Sequence, residues 1–174
     1  MMLREHILSY SGLGHLSKAP GTLGSIATAI FVALVVIGFS AAGGLEGAGR
    51  WGLEALWVVL ILLMSAATIG WGDWAENHSG KADPAWVIID EGAGQILAFI
   101  GAPWLVAFDA ASIGLNLAMI GVGLLAFRFF DVLKPFPINR IQRLPKGWGV
   151  LLDDIAAGAI ALGIVQLVAW TAIL

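Results

Sequence analysis

Four short segments of this chain carry residue types that could do chemistry together. The stretch IIDEGAGQ, residues 88–95, sets the carboxylates Asp90 and Glu91 side by side. GWGVLLDDIAAG, residues 147–158, repeats the pattern with Asp153 and Asp154. AFRFFDVLKPFP, residues 126–137, spaces Arg128, Asp131 and Lys134 three residues apart, so a helix stacks them along one face before Pro135 stops it. SKAPGTLGS, residues 17–25, sets Lys18, Gly21, Thr22 and Ser25 around the start of an apolar run. Adjacent carboxylates are hard oxygen ligands of the kind Mg2+ prefers. A helix start offers unpaired N–H groups and a positive dipole end, which suit a phosphate. Arginine and lysine beside such a metal can stabilise the charge of a transferring phosphoryl group.

Each segment also has a plain structural account. Acids in the first turn of a helix favour its dipole, which would explain Asp90 and Glu91 or Asp153 and Asp154. Lys18 and Arg128 could be interfacial anchors, and Pro20, Thr22 and Ser25 could form an ordinary helix start. The joint pattern is harder to explain that way. Five acids need cations to offset them; Lys18, Arg128 and Lys134 offset some, and a bound Mg2+ would offset the rest. The expected metal ligands are therefore Asp90, Glu91, Asp131, Asp153 and Asp154. Arg128 is expected to join them in catalysis. The expected phosphate-binding group is Lys18, Gly21, Thr22, Ser25, Arg128 and Lys134. His6, His15 and His78 have no helical pairing and make no zinc site. Glu76 and Asp83 read as residues that keep a loop soluble, and Asp109 as having no part in chemistry.

The elements that must position these residues lie in a membrane. Of 174 residues, 59% are hydrophobic and 12% charged, about half the charged share of a soluble domain. The mean hydropathy is +0.91. A net charge of −3 gives no reason to expect nucleic acid as a partner, and the absence of cysteine excludes disulfides and thiol chemistry. The opening residues MMLREHILSYSG hold no apolar core of signal-peptide type, so insertion should depend on internal spans. The fold class expected is all-α: one domain over residues 1–174, a polytopic helical bundle of about five spans near 22–42, 53–72, 91–108, 110–130 and 150–174. The third is short and holds Gly92, Gly94, Gly101 and Pro103, so it should be re-entrant or tilted. Arg4, Lys18, Lys81, Arg128, Lys134, Arg140, Arg143 and Lys146 fall on one side of such a bundle, against Arg50 alone on the other. The positive-inside rule makes the first side cytoplasmic, with the N-terminus and all the acidic segments on it and the C-terminus external.

With these residues in view, the chain resembles the phosphatidylglycerophosphatase A family. APGTLGS, DPAWVIIDEGAGQ, FRFFDVLKPFPI and GWGVLLDDIAAG carry the likeness, in order from residue 19 to residue 158. The resemblance implies a Mg2+-dependent phosphatase of the bacterial inner membrane. Such an enzyme hydrolyses phosphatidylglycerophosphate to phosphatidylglycerol in phospholipid synthesis. It also places Pro20, Gly24, Gly94, Gln95 and Pro135 on the family's motifs. One departure is Ala85, where a glycine is expected after Asp83 and Pro84. Two other classes compete: a cation transporter using membrane carboxylates, and a membrane subunit with no chemistry. A transporter's acids should lie near the bilayer midplane, whereas these gather at one surface. The oligomeric state is not legible in the sequence.

The sidedness can be tested directly because the chain has no native cysteine. Single cysteines at positions 80 and 142 should resist a membrane-impermeant thiol reagent in intact cells, while one at 47 should react. Labelling at 80 or 142 would overturn the orientation.

Overall fold

The computed structural model describes residues 2–81, 83–142, 144 and 147–173, with side chains through Thr171. Arg143 and Lys146, two of the cations used to orient the bundle, lie outside the described residues. The chain folds as α1 (Leu3–Leu8), a 3-10 turn (Leu13–His15), α2 (Pro20–Ala41), α3 (Gly47–Ser79), α4 (Ile89–Leu97), α5 (Ala110–Leu133), α6 (Ile138–Ile141) and α7 (Gly147–Ile173). The described residues contain helices and no strands. Four of these helices, α2, α3, α5 and α7, are long and apolar enough to cross a membrane.

The third expected span is the one that differs. A helix over 91–108 does not form; α4 stops at Leu97 after nine residues, roughly 14 Å at 1.5 Å per residue, too short to cross. Tight turns follow through Phe99 and Ala102, Gly101 takes a left-handed φ of 67°, and Pro103 has no N–H to continue a helix. From there backbone without helix or strand reaches Asp109. Non-helical backbone at membrane depth survives only where protein satisfies its polar groups. Here Glu54 Oε2 accepts from Gly101 N at 2.9 Å, and Arg50 Nη2 donates to the Ala102 carbonyl at 2.7 Å. Asn116 pairs with both backbone groups of Leu105, at 2.9 and 3.0 Å. Gln166 donates to the Ile100 carbonyl and Ser40 to that of Val106. The segment is thus half helix and half irregular backbone, clamped by polar side chains of α2, α3, α5 and α7.

Close backbone approach holds α4 in the bundle. A Cβ on Gly94 would strike the Asp154 carbonyl and the Phe127 ring, and one on Gly158 would overlap the backbone of Gly94. Small residues at such crossings let helices meet where lipid supplies no hydrophobic driving force. Below this contact Trp57, Phe99, Ile96, Leu53, Val32 and Val165, all fully buried, fill the centre. On the other side of α4 the N-terminal segment acts as a brace: Ile88 N donates to the Leu8 carbonyl at 2.9 Å, and His15 stacks on Trp86.

Because Gly158 meets backbone rather than a movable side chain, Gly158→Val must push α4 away from α7. Overpacking of this kind costs about 1–3 kcal/mol and should lower the thermal midpoint in detergent by roughly 4–10 °C. Gly163, in the same helix, has open space where a Cβ would stand. Gly163→Ala should stay within about 2 °C of the parent, as substitutions away from contacts do. Equal midpoints for the two variants would show that the α4–α7 approach does not hold the bundle.

Candidate active site

One cavity of about 310 Å³ opens at the end of the bundle where α2 and α4 begin and α5 ends. Asp90 and Glu91 enter it from the first turn of α4, Arg128, Asp131 and Lys134 from the end of α5, and Asp153 and Asp154 from α7. All five expected acids therefore line one space. The cap account fails for the α7 pair, because α7 starts at Gly147 and Asp153 and Asp154 are its seventh and eighth residues, nearly two turns in. Asp90, Asp131, Asp153 and Asp154 are all buried, none more than 8% exposed. Buried carboxylates are costly unless paired or bound to a metal.

Two cations do the pairing. Arg128 Nη1 donates to Asp131 Oδ2 at 2.6 Å, to Glu91 Oε2 at 3.3 Å and to Ser25 Oγ at 3.4 Å. Its Nη2 donates to Thr22 Oγ1 at 3.3 Å, so one guanidinium ties α5 to both α2 and α4. Lys134 donates to Asp153 and lies 4.0 Å from Asp131 Oδ1. It ends α5 in a left-handed conformation, φ 42°, a cap position that glycine usually fills. Lys134 resists its own partial burial: the Asp153 carboxylate raises its pKa against the desolvation that opposes its charge. A non-glycine residue held there is the kind of backbone strain found at functional sites.

The N-terminus of α2 faces this arrangement. Pro20 occupies the first turn and no side chain caps it, which leaves the N–H groups of Gly21 and Thr22 as donors for an anion. Gly21 touches Glu91 so closely that a Cβ would overlap the carboxylate. Ser25 donates to Glu91 Oε2 at 3.3 Å. Three of the expected phosphate ligands do not line the cavity: Lys18 is exposed in the segment before α2, while Thr22 and the buried Ser25 meet Arg128 instead.

One acid lines the cavity that the sequence reading did not place there, and a second residue packs beside its acidic helix. Asp83, read as a loop solubiliser, lines the cavity, and burial pushes its carboxyl pKa up, with Asp131 adding to the rise and Lys134 opposing it. Tyr10, the chain's one tyrosine, sends its hydroxyl to Thr28 at 3.2 Å and against Gly92, where a Cβ would overlap it. Burial raises the pKa of this phenol, keeping it a neutral hydroxyl. Tyr10 and Ser11 both take left-handed φ values, 49° and 58°, a conformation that propensity alone does not signal. Asp109 sits at the far end of α5 as its N-cap, accepting from Ser112 N at 2.9 Å, so its exclusion from the site stands. His15 contacts Glu5 and Trp86, outside the cavity.

Among the described residues the cavity thus gathers six carboxyl groups against two cations. Asp90 Oδ1 is buried and has no hydrogen-bond partner, and neither have the two polar atoms of Gln95 one turn further along α4. Among the described residues no three acids or histidines form a ready-made metal cluster. Mg2+ does not need one, since it commonly keeps several waters and takes one or two carboxylates plus phosphate oxygens. An all-oxygen donor set, surplus negative charge and an orphaned carboxylate oxygen fit such an ion.

The phosphatidylglycerophosphatase A family matches residues 6–169, nearly the whole chain. This chain belongs to that family. The phosphatidylglycerophosphatase A of Haemophilus influenzae is 27% identical over 92% of the chain and 85% of its own length. That of Escherichia coli K12 is 38% identical over 28% of the chain and 29% of its own length. A protein of Bacteroides thetaiotaomicron, named provisionally as a phosphatidylinositol-3-phosphatase, is 27% identical over 91% of the chain and 89% of its own. No solved structure matches the chain. The chain is an enzyme of this family, a phosphoric monoester hydrolase, and a multi-pass membrane protein.

Arg128 provides the sharpest test of the site. Lysine keeps the charge but cannot reproduce a planar fork that reaches Thr22, Ser25, Glu91 and Asp131 together. Arg128→Lys should lower kcat/KM by about 10- to 100-fold, the worth of one or two hydrogen bonds to charged groups. A variant with the parent's rate would return Arg128 to the role of interfacial anchor.

Proposed function

We propose that this protein removes the terminal phosphate of phosphatidylglycerophosphate with the help of Mg2+, at the cytoplasmic face of a bacterial inner membrane, in phospholipid synthesis. The observation that carries the reading is the single cavity in which the carboxylates of α4, α5 and α7 meet Arg128, Lys134 and the open start of α2. The family supports the lipid substrate, and the cation asymmetry of the sequence supports the side.

Asp90, Glu91, Asp131, Asp153 and Asp154 are the residues that would hold the metal. When bound, it supplies Lewis-acid neutralisation of the phosphoryl oxygens. The N–H groups of Gly21 and Thr22 with Arg128 hold the phosphomonoester by the donor-rich chemistry that helix starts and guanidinium groups offer, while the hydroxyls of Thr22 and Ser25 position the guanidinium. Arg128 beside Glu91 and Asp131, and Lys134 beside Asp153, offset part of the charge of these acids. Water supplies an oxygen to phosphorus, the bond from phosphorus to the glycerol oxygen breaks, and that oxygen leaves with a proton as the hydroxyl of phosphatidylglycerol.

Purified protein should release phosphate from phosphatidylglycerophosphate with Mg2+ and stop when EDTA is added. Asp90→Asn, Asp131→Asn and Asp153→Asn should each cost about 10²–10³-fold in kcat, as losing a preorganised electrostatic group does. Asp109→Asn should be nearly silent, because asparagine also caps a helix start. Full turnover in EDTA would reject the metal. The Bacteroides relative makes phosphatidylinositol 3-phosphate the comparison substrate. Faster release from that lipid would move the proposal to an inositol headgroup.

A further inference from the structure

We infer that an apolar groove between α2 and α3 seats an acyl chain of the lipid whose terminal phosphate enters the acidic cavity; the inference rests on the phosphatase reading above. The groove has a volume of about 330 Å³ and is lined by Tyr10, Ala27, Thr28, Phe31, Leu60 and Met64. That volume lies at the lower end of the range for small-molecule sites. Apart from two hydroxyls its lining is apolar, and those two, Tyr10 and Thr28, bond to each other at one edge.

Its position relative to the cavity identifies the occupant. Gly21 lines the acidic cavity and Thr28 lines the groove. Seven residues of helix separate them, two turns and about 10 Å, which returns to the same face of α2. Gly24 lies between them on that face and packs against Ile88 of the segment leading into α4. The groove is therefore deeper in the bundle than the cavity by a distance that the glycerol–phosphodiester–glycerol part of the lipid can bridge. A molecule with a phosphomonoester at one end and a hydrocarbon chain at the other matches this order of polar and apolar surfaces. Phe31 is 42% exposed at the groove, so the site is open to the bilayer from which such a lipid would come.

Tyr10 joins the two regions. Its hydroxyl bonds Thr28 in the groove and lies against Gly92, next to the carboxylates of α4. The left-handed turn at Tyr10 and Ser11 puts that side chain there. A comparable apolar cavity of about 320 Å³, lined by Leu115, Ala118, Met119 and Val168 among others, lies between α5 and α7 beside Leu105, towards the opposite end of the bundle from the acids. It serves as the control.

The test compares two substrates: dioleoyl phosphatidylglycerophosphate and the chainless glycerophosphoglycerophosphate. Ala27→Phe fills the groove and should lower the ratio of kcat/KM for the dioleoyl lipid over the chainless ester by about tenfold, the equivalent of losing the burial of two methylenes. Ala118→Phe should leave the ratio as in the parent. An unchanged ratio for Ala27→Phe, or equal losses on both substrates, overturns the inference. A second readout needs no turnover. In EDTA, phosphatidylglycerophosphate with a diazirine in its acyl chain should label α2 around Phe31, and unlabelled phosphatidylglycerophosphate should compete. Competition by phosphatidylethanolamine to the same extent marks a general lipid groove and overturns the inference. Specific labelling without hydrolysis of either substrate by the parent supports the groove and rejects the phosphatase reading instead.

Discussion

The contact between Gly94 and Gly158 is the point on which the geometry of the site turns. The two backbones meet so closely that neither glycine could carry a side chain in place. Asp90 is one helical turn before Gly94, and Asp154 one turn before Gly158. Bringing the two glycines together therefore brings the two carboxylates to the same level of the bundle. No attraction between the acids could do this, because each disfavours the other's charge. Packing enforces a proximity that electrostatics opposes, and the site stores the consequence as a demand for cations. Arg128 and Lys134 answer part of that demand from α5.

A short α4 makes this arrangement possible. A full-length span there would have to satisfy all its backbone groups within itself and pack along its whole length. Ending at Leu97 leaves the short helix to be positioned by its packing on α2, α3 and α7, closest at the glycine approach to α7, with Leu8, Tyr10 and His15 bracing its start. The broken half requires partners at depth, and Arg50, Glu54, Asn116, Gln166 and Ser40 provide them. These polar residues far from the acids thus help to keep the acids in place. Buried polar groups in a membrane protein need not mark chemistry; here one set does, and the other holds a bent chain.

The division of labour along α2 is of the same kind. Its first turn offers N–H donors and small side chains to the acidic cavity, its next turns carry Gly24 and Thr28 against Ile88 and Tyr10, and the remainder is apolar up to Ser40 at its far end. One helix thereby grades from anion-binding to hydrocarbon surface over two turns. A lipid phosphate ester has the same gradient, so one element can meet the headgroup and the chain in register.

Much of this was legible in the sequence, for identifiable reasons. Long apolar runs fix spanning helices because bilayer thickness fixes their length, and α2, α3, α5 and α7 follow. The three-residue spacing of Arg128, Asp131 and Lys134 fixes a shared face, because helical geometry is local. Asp153 and Asp154 were legible as unusual because acids at membrane depth are expensive, and Asp90 and Glu91 because adjacent carboxylates are hard metal ligands. What the sequence could not decide depends on which surfaces meet. Gly101 and Pro103 warned of an irregular third crossing, but only the clamping side chains of four other helices determine that it leaves the helix after Leu97. Lys18 looked like a ligand by proximity in the chain, yet the chain enters α2 in a direction that leaves it exposed. Asp83 looked like a loop residue, and Tyr10 drew no notice. Asp83 lines the cavity and Tyr10 packs against Gly92 beside it, each from a left-handed backbone; aspartate tolerates that conformation, but at Tyr10 packing has to impose it.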